Sequence, residues 1–280
     1  MSTAGLDDFG ELFALPFVQN ALIACAVLGV VAGLLTPMIV SRGMSFAVHG
    51  TSELALTGGA AALLAGVEVG LGAIVGAVVA GLVFGLLALR ERERDSVMGV
   101  VLAFGLGLGV LMLALYDGRA SNKFGLLTGS IVSVDGTNLY VLAVVAVLVI
   151  GVLAVVFRPL LFASTDPDVA LARGVPVRAL SLVFAVLIGL TTALAVPIVG
   201  SILVLAVMIV PGAGANRVTA NPALATLLAV VIAEVSLLGG ALLSLSTDLP
   251  ISGFVAAIAF VAYLTCRLVA RLRTRSPARA

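Results

Sequence analysis

Lysine occurs once in the 280 residues, as Lys123, histidine once, as His49, cysteine twice, and tryptophan not at all. Charge of either sign is scarce: Asp, Glu, Lys and Arg together make up 10% of the chain, whereas 62% is hydrophobic. A soluble domain carries about a quarter charged residues, and so few charges cannot cover a surface facing water. This excludes a soluble enzyme, a nucleic-acid binder and a disordered chain. The lone lysine belongs to no GxxxxGKS/T loop, so the chain is not its own ATPase. Cys25 and Cys266 lie near opposite ends and form no CxxC pair. They read as small core residues, not as a disulfide or a metal knuckle.

What the chain does contain is long apolar runs. A helix needs about 20 apolar residues to cross a bilayer, because in hydrocarbon every backbone polar group must be satisfied within the segment. Such runs cover residues 17–40, 69–89, 96–116, 139–162, 223–245 and 251–269. Residues 45–67 form a less apolar span carrying His49 and Glu53. Residues 180–211 are too long for one span and are broken by Pro197 and Gly200, which predicts a tight hairpin of two helices. The fold expected is an all-α polytopic membrane protein of eight to nine spans, nine by this count. Residues 117–137 are polar with a weakly apolar middle at 124–134, a half-helix at the surface or dipping in. Residues 217–222 read as a turn. The first run has an acidic flank and is long for a signal peptide, so it reads as a span. Residues 1–272 are expected to form one transmembrane domain, and 273–280 a basic tail. Glycines at four-residue steps (Gly29/Gly33, Gly66/Gly70, Gly72/Gly76, Gly81/Gly85) are expected to let helices pack closely.

Loop charges set the orientation. Arg42, the cluster from Arg90 to Arg94, Arg173, Arg178, Arg217 and the tail arginines 267, 271, 273, 275 and 279 fall on one side of a nine-span drawing. Asp7, Asp8, Glu11, Glu68, Asp117, Asp135 and Asp248 fall on the other, with Arg119 and Lys123 as its only bases. The N-terminus is therefore expected outside and the C-terminus in the cytoplasm. The arginine tail reads as a solvated anchor at the lipid surface, with no role toward nucleic acid.

An ionisable group inside hydrocarbon costs about 2.5–3.5 kcal/mol on an insertion scale and is usually functional. His49 and Glu53 stand four residues apart, which on a helix puts their Cβ atoms about 5–6 Å apart on one face. Imidazole and carboxylate together suit Zn²⁺, Mn²⁺ or Fe²⁺. One chain supplies two such ligands; two copies meeting across a dimer axis would supply four. The same spacing also fits an internal His–Glu hydrogen bond that neutralises both groups. Glu234 lies mid-span, either facing an aqueous path or hydrogen-bonded to a neighbour such as Ser236 or Ser201. Ser52, three residues from His49, is a further candidate for the pathway. It also raises the reading of an intramembrane hydrolase, which would need a base held by a third group, and no second histidine is present.

Several stretches resemble the zinc/manganese-type ABC transporter permeases. Residues 42–58, from Arg42-Gly43-Met44-Ser45 onward, are similar to that family's RRMSxxGDAxSHAxLPG segment. His49 stands where the family has Asp, Glu53 where it has His, and Thr57 where it has Pro. Residues 165–178 resemble FDPExAxxxGVPVR, residues 199–206 with Pro211 resemble VGxxLVxALLxxPAA, and residues 247–250 match xDLPxG. The resemblance implies a membrane subunit of a type II ABC importer. In such an importer two permease copies form the pathway, cytoplasmic ATPases bind below, and an extracytoplasmic binding protein delivers the metal. It also implies that Asp166, Pro167, Asp168, Arg173 and Gly174 belong to a segment, about 164–178, that docks into an ATPase. The metal is then cargo passing His49 and Glu53, with no permanently bound cofactor. A permease of similar build for an iron chelate is the alternative within transport.

Overall fold

The computed structural model describes residues 15–87, 94–129, 136–247 and 249–275, and among these it is helical throughout, without strands. The long helices are α1 (Pro16–Ser41), α2 (Ser45–Ala65), α3 (Val69–Leu87), α4 (Arg94–Leu115) and, after the short α5 (Ala120–Thr128), α6 (Gly136–Thr165). The six-residue α7 (Pro167–Ala172) leads to α8 (Val177–Val199). A 3-10 turn (Ser201–Leu203), α9 (Val204–Met208) and α10 (Val210–Val218) follow, then α11 (Pro222–Thr247) and α12 (Ile251–Arg275). Among the described residues, eight stretches are long and apolar enough to cross a bilayer, the pieces from 201 to 218 counting as one. The chain is a multi-pass membrane protein.

The remaining long helix is α2, which the sequence reading counts as a further span. Its 21 residues rise about 31 Å, enough for a hydrocarbon core of about 30 Å, but it is too polar to qualify by hydropathy. Its protection is tertiary: α3, α4 and α8 pack around it. Consecutive in sequence, α1 and α2 touch little if at all; α1 lies chiefly against α11, α10 and α6. Large apolar side chains cover the outside of α4, α6, α11 and α12, among them Val100, Phe104, Val147, Val155, Leu227 and Phe260. Water would make such a surface an aggregation hazard; lipid makes it the solvated face.

The glycine steps divide into different roles. A methyl on Gly58 would strike the Gly72 carbonyl, and one on Gly76 the Leu54 carbonyl, so α2 and α3 touch backbone to backbone. Gly81 and Gly189 do the same for α3 and α8, and Gly33 meets the backbone of Val230 on α11. Gly66 packs nothing: it caps α2 in the left-handed conformation, φ 69°.

Several boundaries correct the sequence reading. The hairpin breaks at Gly200, with φ 89°, while Pro197 sits inside α8. The second arm is not one helix but three short pieces. Arg217 lies in the last turn of α10, so the turn to α11 begins only at Thr219. There Asn221 caps α11 by accepting from the backbone N–H of Ala223 at 3.0 Å. The expected half-helix is α5, shifted to Ala120–Thr128, and its C-cap Gly129 lies directly on Val199 and Gly200. The first residues of the expected tail, through Arg275, continue α12.

The basic loops gather at one end of the bundle. Arg42 reaches Ser164 and Ser181, Asn216 donates to the Pro37 carbonyl at 3.0 Å, and Arg273 donates to the Val218 carbonyl at 3.2 Å. At the opposite end, the turn bearing Glu68 approaches Asn138 at the start of α6. Asp7, Asp8, Glu11, Arg90, Arg92, Asp135, Asp248 and Arg279 fall outside the described residues.

Candidate functional site

The carboxylate of Glu53 lies deep in the bundle. It is carried in the middle of α2, and α4 passes over it at Gly105, where a methyl would meet Leu54 Cδ2 at 3.3 Å and Glu53 Cβ at 3.5 Å. The next turn is pinned as well. The Thr57 hydroxyl makes contacts of 2.9 Å with the Glu53 carbonyl and 2.7 Å with the Gly105 carbonyl, tying α2 to α4. Thr57 thus does a polar job between two helices, where a proline could not.

His49 sits one turn earlier on the same face. Its Nδ1 is 3.8 Å from Glu53 Oε1, with side-chain exposures of 39% for His49 and 6% for Glu53. A direct N–H···O bond needs about 2.7–3.2 Å, so the pair does not neutralise itself. His49 Nδ1 and Glu53 Oε2 are both buried and hydrogen-bonded to nothing. An ion held at about 2.0–2.2 Å by one nitrogen and one oxygen keeps those atoms about 3.0–3.5 Å apart. A small rotamer adjustment therefore suffices for chelation. The His49 side chain is thus partly exposed, and Phe46, three residues earlier on the helix, is exposed. The stripe is half-open, with the carboxylate at its enclosed end.

The other candidates lie elsewhere. Ser52 is fully buried and donates to the Ser201 carbonyl at 2.7 Å, turned away from His49. It braces α2 against the break after α8, and no nucleophile–base contact of a hydrolase forms. Glu234 is on α11, against Gly29 of α1, where a methyl would come within 2.7 Å of its Oε1. That glycine makes a notch for the carboxyl, a role four-residue spacing did not reveal. The hydroxyl of Ser236 donates to Ile232 instead, and that of Ser201 has no partner, so neither serves Glu234. Because α11 packs on α1, α10 and α12, Glu234 is not brought to the His49–Glu53 pair. No cluster of three or more His, Cys, Asp or Glu occurs among the described residues.

The segment between α6 and α8 is a built surface element. Asp166 caps α7, accepting from the Val169 N–H at 3.0 Å, with Pro167 at the first turn beside Asp168. At the other end, Val175 N–H bonds Ala170 O and Gly174 N–H bonds Leu171 O, each at 3.0 Å. This is a Schellman closure requiring the left-handed Gly174, φ 79°. Only Ala170 of α7 is buried; Asp166, Asp168, Val169, Leu171 and Arg173 project outward.

The pattern of the ABC 3 transport family matches residues 14–270. The chain belongs to that family. Among its relatives in the ABC 3 family is the manganese transport system membrane protein MntC of Halalkalibacterium halodurans, 27% identical over 252 residues, covering 90% of this chain and 86% of the relative. The manganese import system permease protein ScaB of Streptococcus parasanguinis is 33% identical over 208 residues, 71% of each chain. A chain of PsaBC from Streptococcus pneumoniae, solved with a Fab, superposes with a TM-score of 0.85 at 25% identity, covering 97% of this chain and all of that one. Fold and family together are those of a membrane-spanning permease of an ABC transport system.

Proposed function

We propose that this ABC 3 family permease carries a divalent transition metal, manganese first among the candidates, inward past His49 and Glu53. The observation that carries this reading is that His49 Nδ1 lies 3.8 Å from Glu53 Oε1 on one face of α2, while His49 Nδ1 and the other carboxylate oxygen, Glu53 Oε2, are buried without a hydrogen-bond partner. The names of the manganese-transporting relatives support the cargo. A second copy facing the open side of the stripe would complete four ligands, and a site made of so few protein groups binds loosely enough to release its ion. The reversed order, imidazole before carboxylate, preserves the donor set. Energy comes from separate ATPase subunits docking on Asp166, Pro167, Asp168, Arg173 and Gly174, and an extracytoplasmic binding protein delivers the metal. In this arrangement the basic end of the bundle faces the cytoplasm and the acidic end faces outside.

The test is uptake by vesicles reconstituted with the permease, its ATPase and its binding protein, supplied with Mn²⁺ and then with competing Zn²⁺ or Fe²⁺. Changing even an outer partner of a metal site costs about 10–100-fold, so Glu53→Gln and His49→Ala are each expected to cut uptake at least tenfold. Wild-type uptake by both variants would overturn the site assignment, and no metal movement by the wild type would overturn the cargo.

A further inference from the structure

Arg42 joins three parts of the chain that are distant in sequence. It ends α1, with its own N–H bonded to Met38 O and Val40 O. Two residues on, Met44 is buried and α2 begins at Ser45. Its guanidinium reaches across the basic end of the bundle. Nη1 donates to Ser164 Oγ at 2.9 Å and Nη2 to Ser181 Oγ at 2.6 Å, and the group lies 5.8 Å from the centroid of the Phe184 ring. Ser164 spends its own proton on the Leu160 carbonyl at 2.6 Å, which leaves its lone pairs for the arginine.

The two serines flank the outward segment. Ser164 is in the last turn of α6, just before Asp166, and Ser181 is in the first turns of α8, just after Arg178. Between them α7 buries only Ala170, so the segment is fixed chiefly at its two ends. One planar fork grips both ends at once. A lysine offers a single ammonium and can neither span two hydroxyls nor stack on an aromatic ring in the same way. Besides the direct packing of α8 on α2, the corner holding Arg42 is the covalent route from this clamp into the helix of His49 and Glu53.

We propose that Arg42 is the positioning residue that transmits displacement of the 166–174 segment to α2, so that ATP hydrolysis by the docked subunit moves the metal-handling helix. This rests on the transport reading above. The role is mechanical: Arg42 touches neither the metal nor the nucleotide.

The experiment uses the reconstituted complex with Mn²⁺ and measures metal moved per ATP hydrolysed. Three forms are compared: wild type, Arg42→Lys, and the double variant Ser164→Ala/Ser181→Ala. Both variants are expected to co-purify with the ATPase and to retain its basal hydrolysis. The Mn²⁺-to-ATP ratio is expected to fall about tenfold, and stimulation by the metal-loaded binding protein to disappear. An unchanged ratio in the variants overturns the proposal, as does loss of ATPase co-purification or a proportional fall of hydrolysis and transport. If Arg42→Lys fails to fold, the double serine variant, which keeps the arginine and deletes only two hydroxyls, decides alone. A wild-type complex that hydrolyses ATP and moves no Mn²⁺ defeats the transport reading instead, so the two failures are distinct.

Discussion

The backbone contact between α2 and α3 offers a quantitative test of how the helix of His49 and Glu53 is held. In Gly58→Ala the new methyl would lie 3.0 Å from the Gly72 carbonyl carbon and 3.1 Å from Gly76 Cα, and closer still to the Gly72 oxygen. Ordinary contact begins at 3.4 Å, and the obstructing atoms are backbone, which no rotamer change can move. The helices must part by about 1 Å, a gap that forfeits roughly half of the dispersion energy of the atoms it separates. Overpacking of this kind costs about 1–3 kcal/mol, a shift of roughly 5- to 150-fold in the folded population. Gly107→Ala, on the outer face of α4 with nothing within 4 Å of the new methyl, is the control. It is expected to be neutral or to stabilise by up to about 1 kcal/mol through better helix propensity. The assay is the fraction of detergent-solubilised protein remaining monodisperse after heating, followed by Mn²⁺ uptake at matched amounts of folded protein. Gly58→Ala should melt earlier and transport less per folded molecule, since α2 carries His49 and Glu53. Equal melting of the two variants would refute the close-contact argument.

Two further outcomes follow from the same geometry. Gly33→Ala should destabilise strongly, because its methyl meets Val230 backbone, whereas Gly29→Ala should be mild, because it meets only the movable end of Glu234; comparative melting of the two checks this, and equal losses would contradict it. Arg173→Glu should weaken ATPase co-purification without affecting membrane insertion, and Asp166→Ala, which removes the α7 cap at a cost of about 1 kcal/mol, should do the same more weakly; unchanged pull-down of the ATPase by both would remove the docking role.

Which features the sequence disclosed follows from their range along the chain. The apolar spans were legible because lipid imposes one requirement on a whole segment, and the His49–Glu53 pair because a one-turn repeat is a local signal. Of the two residues expected to break the run after residue 180, only Gly200 does, taking up φ 89°; Pro197 is the more conspicuous helix breaker, yet a membrane helix tolerates it. That α2 is enclosed could not be read from its own composition, since α3, α4 and α8 supply the cover. Arg42 registered merely as a charge marking one side. Its partners lie 122 and 139 residues away, and no periodicity reports such contacts. The notch at Gly29 was hidden for the same reason, because its occupant comes from α11.

Since α1 packs chiefly on α11, α10 and α6 and α2 chiefly on α3 and α4, the bundle divides into two groups of helices joined through α8 and α9. Substitutions in the group of α2 can therefore change side chains there without disturbing the packing of α1 on α10 and α11. On the proposed route, an exchange at residues 49 and 53 would change the donor atoms offered to the ion while the contacts of α1 with α10 and α11 stay as they are.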